Sequence, residues 1–114
     1  MENRRRYFRL SYPAAERPTI RWRGRDYKVV EISEGGIKVQ APEADEPDVG
    51  RNFAGIIRFK DGGTAALVGV VVRAGETEMV VQLSKRIDFR RMLIEQRRVR
   101  QKYPVYFSRT HSSD

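Results

Sequence analysis

Two short segments hold the residues best suited to grip an anion. Met1-Glu2-Asn3-Arg4-Arg5-Arg6-Tyr7-Phe8-Arg9 places four arginines in nine residues, a stretch too polar to form a core element. A guanidinium is planar, permanently charged and presents a fork of donors. It grips phosphate oxygens in bidentate fashion, reads guanine O6 and N7 or stacks on a base. Arg5 and Arg9 stand four apart, so two such groups converge if the segment turns. Further on comes Glu31-Ile32-Ser33-Glu34-Gly35-Gly36. The Glu31 carboxylate can accept from guanine N1–H and N2–H₂, the edge that distinguishes guanine from adenine. The Ser33 hydroxyl can donate to a phosphate or base acceptor. Gly35 and Gly36 permit positive φ and a close backbone approach to a ligand. Taken singly, each segment has a plainer reading: a solvated charged tail, and a β-turn whose serine bonds its own backbone. Taken together, they supply the two halves of a pocket for a phosphorylated guanine nucleotide.

The elements that must position these groups are short strands. Pro18-Thr19-Ile20-Arg21-Trp22-Arg23 alternates apolar with polar, the period of a half-buried strand. Gly24-Arg25-Asp26 marks a turn. Tyr27 to Ile32 and Ile37 to Val39 follow as strands around the Ser33–Gly36 bend, and Ala41 to Gly50 is a loop rich in acid and proline. Phe53 to Phe59 is stopped by Asp61-Gly62-Gly63, a strong turn signal. Ala65 to Arg73 and Met79 to Leu83 complete the set around Ala74-Gly75-Glu76-Thr77. Six short strands with tight turns predict an all-β fold with a C-terminal helix, the strands closing into a small antiparallel barrel over residues 17–84. After Ser84 the period becomes helical over residues 87–103. Phe89, Met92, Leu93, Gln96, Val99 and Tyr103 form the expected apolar face, with Asp88 as N-cap and Pro104 as the stop. Arg90, Arg91, Arg97 and Arg98 form the opposite, solvated face, and residues 107–114 are a polar tail. That basic face has a functional alternative, contact with an acidic protein, nucleic acid or the ligand-bound arm.

Composition narrows the function. A chain of 114 residues is one domain with one core. It has no apolar run long enough for a transmembrane helix, so membrane insertion is not expected. The arginine-rich start is followed by no apolar stretch and does not read as a secretory signal. The absence of cysteine excludes disulfides and thiolate metal sites, and a cytoplasmic location is the expectation. The net charge of +8 is carried by the ends. Residues 1–10 hold four arginines against Glu2, and residues 85–109 hold nine basic residues against Asp88 and Glu95. Between them, ten basic residues face eleven acidic ones. A general nucleic-acid binder would spread positive charge across a face of its folded body; this pattern points to an anion site at one end and a basic helix at the other. Trp22 shares a strand face with Ile20 and reads as core rather than as a base-stacking platform. His111, the single histidine, has no metal partners, and Asp45, Glu46 and Asp48 read as a solvated loop rather than a cation site. No catalytic triad, metal cluster or phosphate loop is present, so neither an enzyme nor a cofactor is expected.

The two segments, in this order and separation, resemble the PilZ domain family, bacterial receptors for cyclic di-GMP. That family carries an Arg-x-x-x-Arg motif before its first strand and an (Asp/Asn)-x-Ser-x-x-Gly motif on the following strands. Here the first is Arg5-Arg6-Tyr7-Phe8-Arg9 and the second Glu31-Ile32-Ser33-Glu34-Gly35-Gly36. The resemblance covers nearly the whole chain and implies a six-stranded antiparallel barrel of PilZ type. It implies that Arg5 and Arg9 engage the phosphates and the Hoogsteen edge of guanine, with Ser33 and Gly36 lining the barrel side. Arg4 stands just ahead of the first motif arginine, where the resemblance associates it with an intercalated pair of ligand molecules. Arg6 is expected to add a phosphate contact, and Arg73 ends a strand that would lie beside the pocket. Glu31 departs from the family's Asp or Asn, and its extra methylene moves the acceptor by roughly a bond length. A bidentate pair contributes ~1–3 kcal/mol, so poor geometry there weakens affinity ten- to hundredfold. The resemblance further implies that the arm folds over the barrel when the ligand arrives and that a downstream protein reads the change. Two alternatives stand beside this: a small basic barrel that binds RNA or DNA, and a PilZ-fold interaction module that has lost its ligand.

Overall fold

The structure, a computed structural model, describes residues 9–41 and 49–110, with side chains as far as Phe107. The strands are β1 (Leu10–Ser11), β2 (Thr19–Trp22), β3 (Arg25–Ser33), β4 (Gly36–Gln40), β5 (Asn52–Arg58), β6 (Thr64–Ala74) and β7 (Glu78–Leu83). Every pairing is antiparallel. The sheet order β2-β5-β6-β7-β4 is closed by β3, which pairs with both β4 and β2, giving a six-stranded barrel. β1 adds to the free stretch of β3 beyond β2.

Alternation sorts the side chains. Ile20, Trp22, Tyr27, Val29, Ile32, Ile37, Val39, Phe53, Ile57, Leu67, Val71, Met79 and Val81 all point inward and are buried. Trp22 lies in this core, stacked on Phe53 at 5.2 Å and tilted against Tyr27 at 5.6 Å. Leu10 of β1, which directly follows Arg9, is fully buried and joins the core.

The β2–β3 hairpin is closed by Arg23 (φ 56°) and Gly24 (φ 78°), between the paired Trp22 and Arg25. Two positive φ values are what a tight hairpin loop of matching twist requires. Holding a long side chain in that region costs ~1–2 kcal/mol. The Arg23 guanidinium, 4.6 Å from the Trp22 ring, recovers ~0.5–1 kcal/mol. Arg23→Asn is therefore expected to raise stability by ~0.5–1 kcal/mol, read as a higher urea midpoint at unchanged slope; a lower midpoint would show that the ring contact outweighs the strain.

One end of the barrel is plugged by α1 (Phe89–Lys102). Asp88 caps it, its side chain accepting from the Arg90 N–H. Pro104 ends α1 as expected, but it also opens a second helix, α2 (Pro104–Thr110), where proline's missing N–H is no loss. The segment read as a tail from residue 107 is thus helical as far as Thr110. The orientation of α1 also differs from expectation. Met92, Glu95 and Val99 are buried, whereas Phe89 is 61% and Leu93 38% exposed. Arg91 and Arg98, assigned to the solvated face, turn inward.

The reason is a buried carboxylate. Glu95 is 0% exposed and accepts from Tyr12 Oη (2.6 Å) and Arg98 Nη2 (2.9 Å) on one oxygen and Arg91 Nη1 (3.0 Å) on the other. Arg91 reaches on to Asp61 (3.0 Å) and lies over the Phe59 ring at 4.4 Å. Arg98 also pairs with Glu16, which accepts from Lys102 Nζ (3.0 Å) and Tyr103 Oη (3.2 Å). Helix and barrel are joined by this polar network as much as by apolar contact. Burial and the neighbouring Glu95 push the Tyr12 hydroxyl far above the usual phenol range.

The network sets an acid limit. Burial alone would raise the Glu16 carboxyl, but hydrogen bonds from Lys102, Arg98 and Tyr103 outweigh it and hold the group below the usual carboxylate range. Asp61 is held low by the Gly63 N–H and then by Arg91. Both folded-state values lie below the unfolded ones. The stability they supply is complete above the ordinary carboxylate pKa and is lost as pH falls through the lowered values. The urea midpoint is expected to hold down to about pH 5 and fall below about pH 4, more gently in Glu16→Gln/Asp61→Asn. An equally steep fall in that variant would assign the acid limit to other groups.

Candidate functional site

The residues singled out by type and spacing meet on the outside of the barrel. Register places Ser33 opposite Gly36 and Glu31 opposite Lys38 across the β3–β4 hairpin. Gly36 then pairs with Gln82, and Lys38 with Val80, on β7. Val80 pairs in turn with Arg73 on β6. One row therefore runs Ser11, Glu31, Lys38, Val80, Arg73 across five strands. Beside it, Arg9 enters from the arm. Arg9, Glu31, Lys38, Val80 and Arg73, with Ser33, Gly36 and Gln82, line an open cleft of about 430 Å³, within the size range of small-molecule sites.

Two irregularities make the row possible. The ladder shifts by one residue between Val29 and Glu31 on β3 and between Val71 and Arg73 on β6. Strict alternation inward from Tyr27 and Val29 would bury Glu31, and from Leu67, Gly69 and Val71 it would bury Arg73. The extra residues, Val30 and Val72, let two successive side chains face outward. Glu31 and Arg73 thus reach the cleft while Ile32 returns to the core. The same bulge frees the Val30 carbonyl to accept from the Tyr12 N–H at 3.0 Å, which fixes the chain just beyond the arm.

Electrostatically, the cleft is cationic with one carboxylate at its centre. Glu31 Oε1 is 3.5 Å from Lys38 Nζ, and Glu31 Oε2 is 4.0 Å from Arg9 Nε. Lys38 is also 4.0 Å from Glu78. The Ser33 hydroxyl donates to the Gly36 carbonyl at 3.4 Å, a long bond that leaves it available to a better acceptor. Gly36 does not use positive φ, and neither does Gly35. Its value lies in proximity, since a Cβ there would stand 2.9 Å from the Val81 carbonyl oxygen. The expectation of a left-handed backbone at this pair is corrected, and the close approach seen at Gly36 is to the neighbouring strand β7.

Of the expected site residues, Arg9, Glu31, Ser33, Gly36 and Arg73 line the one cleft. Arg4, Arg5 and Arg6 lie outside the described residues, as do Asp45, Glu46, Asp48 and His111. Lys38, Gln82, Val72 and Val80 also line the cleft and were not anticipated. Lys38 was readable: in Ile37-Lys38-Val39 it alternates outward, and counting back from the Ser33–Gly36 turn sets it beside Glu31. The bulges carried a signal too. Val29-Val30-Glu31 and Val71-Val72-Arg73 share a pattern, two valines and then a charge at a position that alternation would bury. Among the described residues, no cluster of three or more His, Cys, Asp or Glu side chains could hold a metal ion.

A closed six-stranded barrel capped by a helix, with Arg9 at the edge of an outer cleft, defines a class of ligand-binding module. The PilZ domain profile matches residues 3–104, and the chain belongs to that family. Among solved structures it is similar to the Bacillus subtilis inhibitor of motility MotI/DgrA, at 20% identity and a TM-score of 0.65 over 89% of this chain. The likeness is one of fold, and the chain spans about half (52%) of that structure's length. Comparison with curated proteins gives no match.

Proposed function

We propose that the protein is a receptor for cyclic di-GMP and acts as a binding module rather than a catalyst. The observation that carries this is the convergence of Arg9, Glu31, Ser33, Gly36 and Arg73 on one cationic cleft, with Arg4, Arg5 and Arg6 a few residues before Arg9 in the sequence. The ligand offers two phosphates and two guanine faces. Arg5 and Arg9 take the phosphates and the Hoogsteen edge, Arg6 and Arg73 add charge, and Ser33 donates from the strand end. Arg4 favours an intercalated pair of ligands. Glu31 is held toward Lys38 and Arg9 before the ligand arrives. A half-exposed ion pair of this kind contributes only ~0–1 kcal/mol. Phosphates that take over the cations therefore release the carboxylate to the guanine N1–H and N2–H₂ at little cost. The arm then closes, and a downstream protein in the cytoplasm reads the altered surface.

Glu31→Asp tests the geometry. The shorter carboxylate restores the motif's usual length and is expected to tighten cyclic di-GMP binding about tenfold, measured by equilibrium dialysis. Ser33→Ala is expected to weaken it. Indifference to both changes would remove this cleft from the binding reaction.

A further inference from the structure

The helical cap turns a chemically one-sided ridge to solvent. On α1, Phe89, Leu93 and Ile94 are exposed. Arg90, Arg97 and Arg100 are exposed as well. At 3.6 residues per turn all six fall within an arc of about 140°, opposite Met92, Glu95 and Val99. Val105 of α2 is 66% exposed. Between Phe89 and Phe107 the only carboxylate is Glu95, and it is fully buried. The ridge is therefore apolar and cationic, and the one exposed carboxylate beside it is Asp88, which is engaged in capping the helix. The barrel contact uses the other side of α1, and the ligand cleft lies on β3, β4, β6 and β7 with Arg9.

We propose that this ridge docks on an anionic lipid surface. Phe89, Leu93 and Ile94, in the first half of α1, enter the headgroup layer, and Arg90, Arg97 and Arg100 bond lipid phosphates with their apolar stems lying along the interface. Charge decides between occupants. A second copy would set three arginines against three counterparts with only the capping Asp88 of each helix to offset them. A protein partner would need a groove acidic throughout to match a convex ridge of one sign, whereas an anionic bilayer presents uniform negative charge to any such ridge. No helix among the described residues is long and apolar enough to cross a membrane, so the contact is peripheral.

The test is pelleting of the full chain with vesicles of phosphatidylcholine alone and of phosphatidylcholine with phosphatidylglycerol. The expected result is pelleting only with the anionic vesicles, weakened as ionic strength rises. Phe89→Ser/Leu93→Ser and Arg90→Gln/Arg97→Gln are each expected to lower partitioning about tenfold. Arg58→Gln/Lys60→Gln, which removes the same charge from the barrel, should leave it unchanged. Thermal melting checks that all three variants fold. Equal losses in all three variants, or no pelleting with either vesicle, overturns the proposal. Self-association abolished by Phe89→Ser/Leu93→Ser, or binding to polyglutamate without binding to vesicles, would assign the ridge to a second copy or an acidic protein instead.

Discussion

Arg9→Ala is expected to weaken cyclic di-GMP binding about a hundredfold while leaving stability unchanged. Arg9 is the last arm residue before β1, and its side chain is 58% exposed over the cleft, 4.0 Å from Glu31. Truncation removes a charge-assisted hydrogen bond, ~1.5–3 kcal/mol, and any stacking of the guanidinium on a base, ~0.5–1 kcal/mol. Roughly 3 kcal/mol corresponds to about a hundredfold. An exposed side chain with one weak ion pair contributes little to folding, so the urea midpoint should move by no more than ~0.5 kcal/mol equivalent. Arg9→Lys keeps the charge and loses the planar fork, so its affinity should fall between the two. Calorimetric titration of the three proteins reads the order directly. Equal affinity of wild type and Arg9→Ala would mean that the arm's end takes no part in capture.

Glu95→Ala is expected to have the opposite profile, a large loss of stability. Its carboxylate is the shared acceptor of Tyr12, Arg91 and Arg98. Without it the largely buried Arg91 keeps only Asp61 and Arg98 only Glu16, and the Tyr12 hydroxyl loses its partner. Breaking a buried ion pair from one side costs ~3–5 kcal/mol, a large fraction of the stability of a domain this size. The melting temperature should fall by about 15 °C or more. Tyr12→Phe provides the graded comparison. It deletes one donor, while Arg98 still bonds the same oxygen, so the loss should be ~1–2 kcal/mol. If Glu95→Ala melted within a few degrees of wild type, the network would not be what holds α1 against the barrel.

The barrel was legible because its strands alternate cleanly and its turns carry Gly24 and Asp61-Gly62-Gly63 where the chain reverses. The site was legible as motif and spacing, since Ser33 and Gly36 fix the hairpin register and the register fixes the neighbours. What escaped was non-local. Glu95 in a helix reads as a solvated residue; it is buried because Tyr12, 83 positions earlier, and two arginines of its own helix meet it there. That one carboxylate rotates α1, drawing Arg91 and Arg98 inward and leaving Phe89 and Leu93 outside, against the apolar periodicity. The bulges at Val30 and Val72 escaped for a different reason. Alternation assumes an unbroken ladder, and the charges of Glu31 and Arg73 were the sign that it breaks.

The proposed receptor captures a cyclic guanine dinucleotide at the cationic cleft on the barrel wall. Calorimetric titration of the intact wild-type protein with cyclic di-GMP, set beside an unrelated single-stranded oligonucleotide at the same salt, tests it most directly. Saturable heat with the dinucleotide at micromolar protein, and none with the oligonucleotide, is the expected result. No heat with the dinucleotide alongside binding of the oligonucleotide would contradict it.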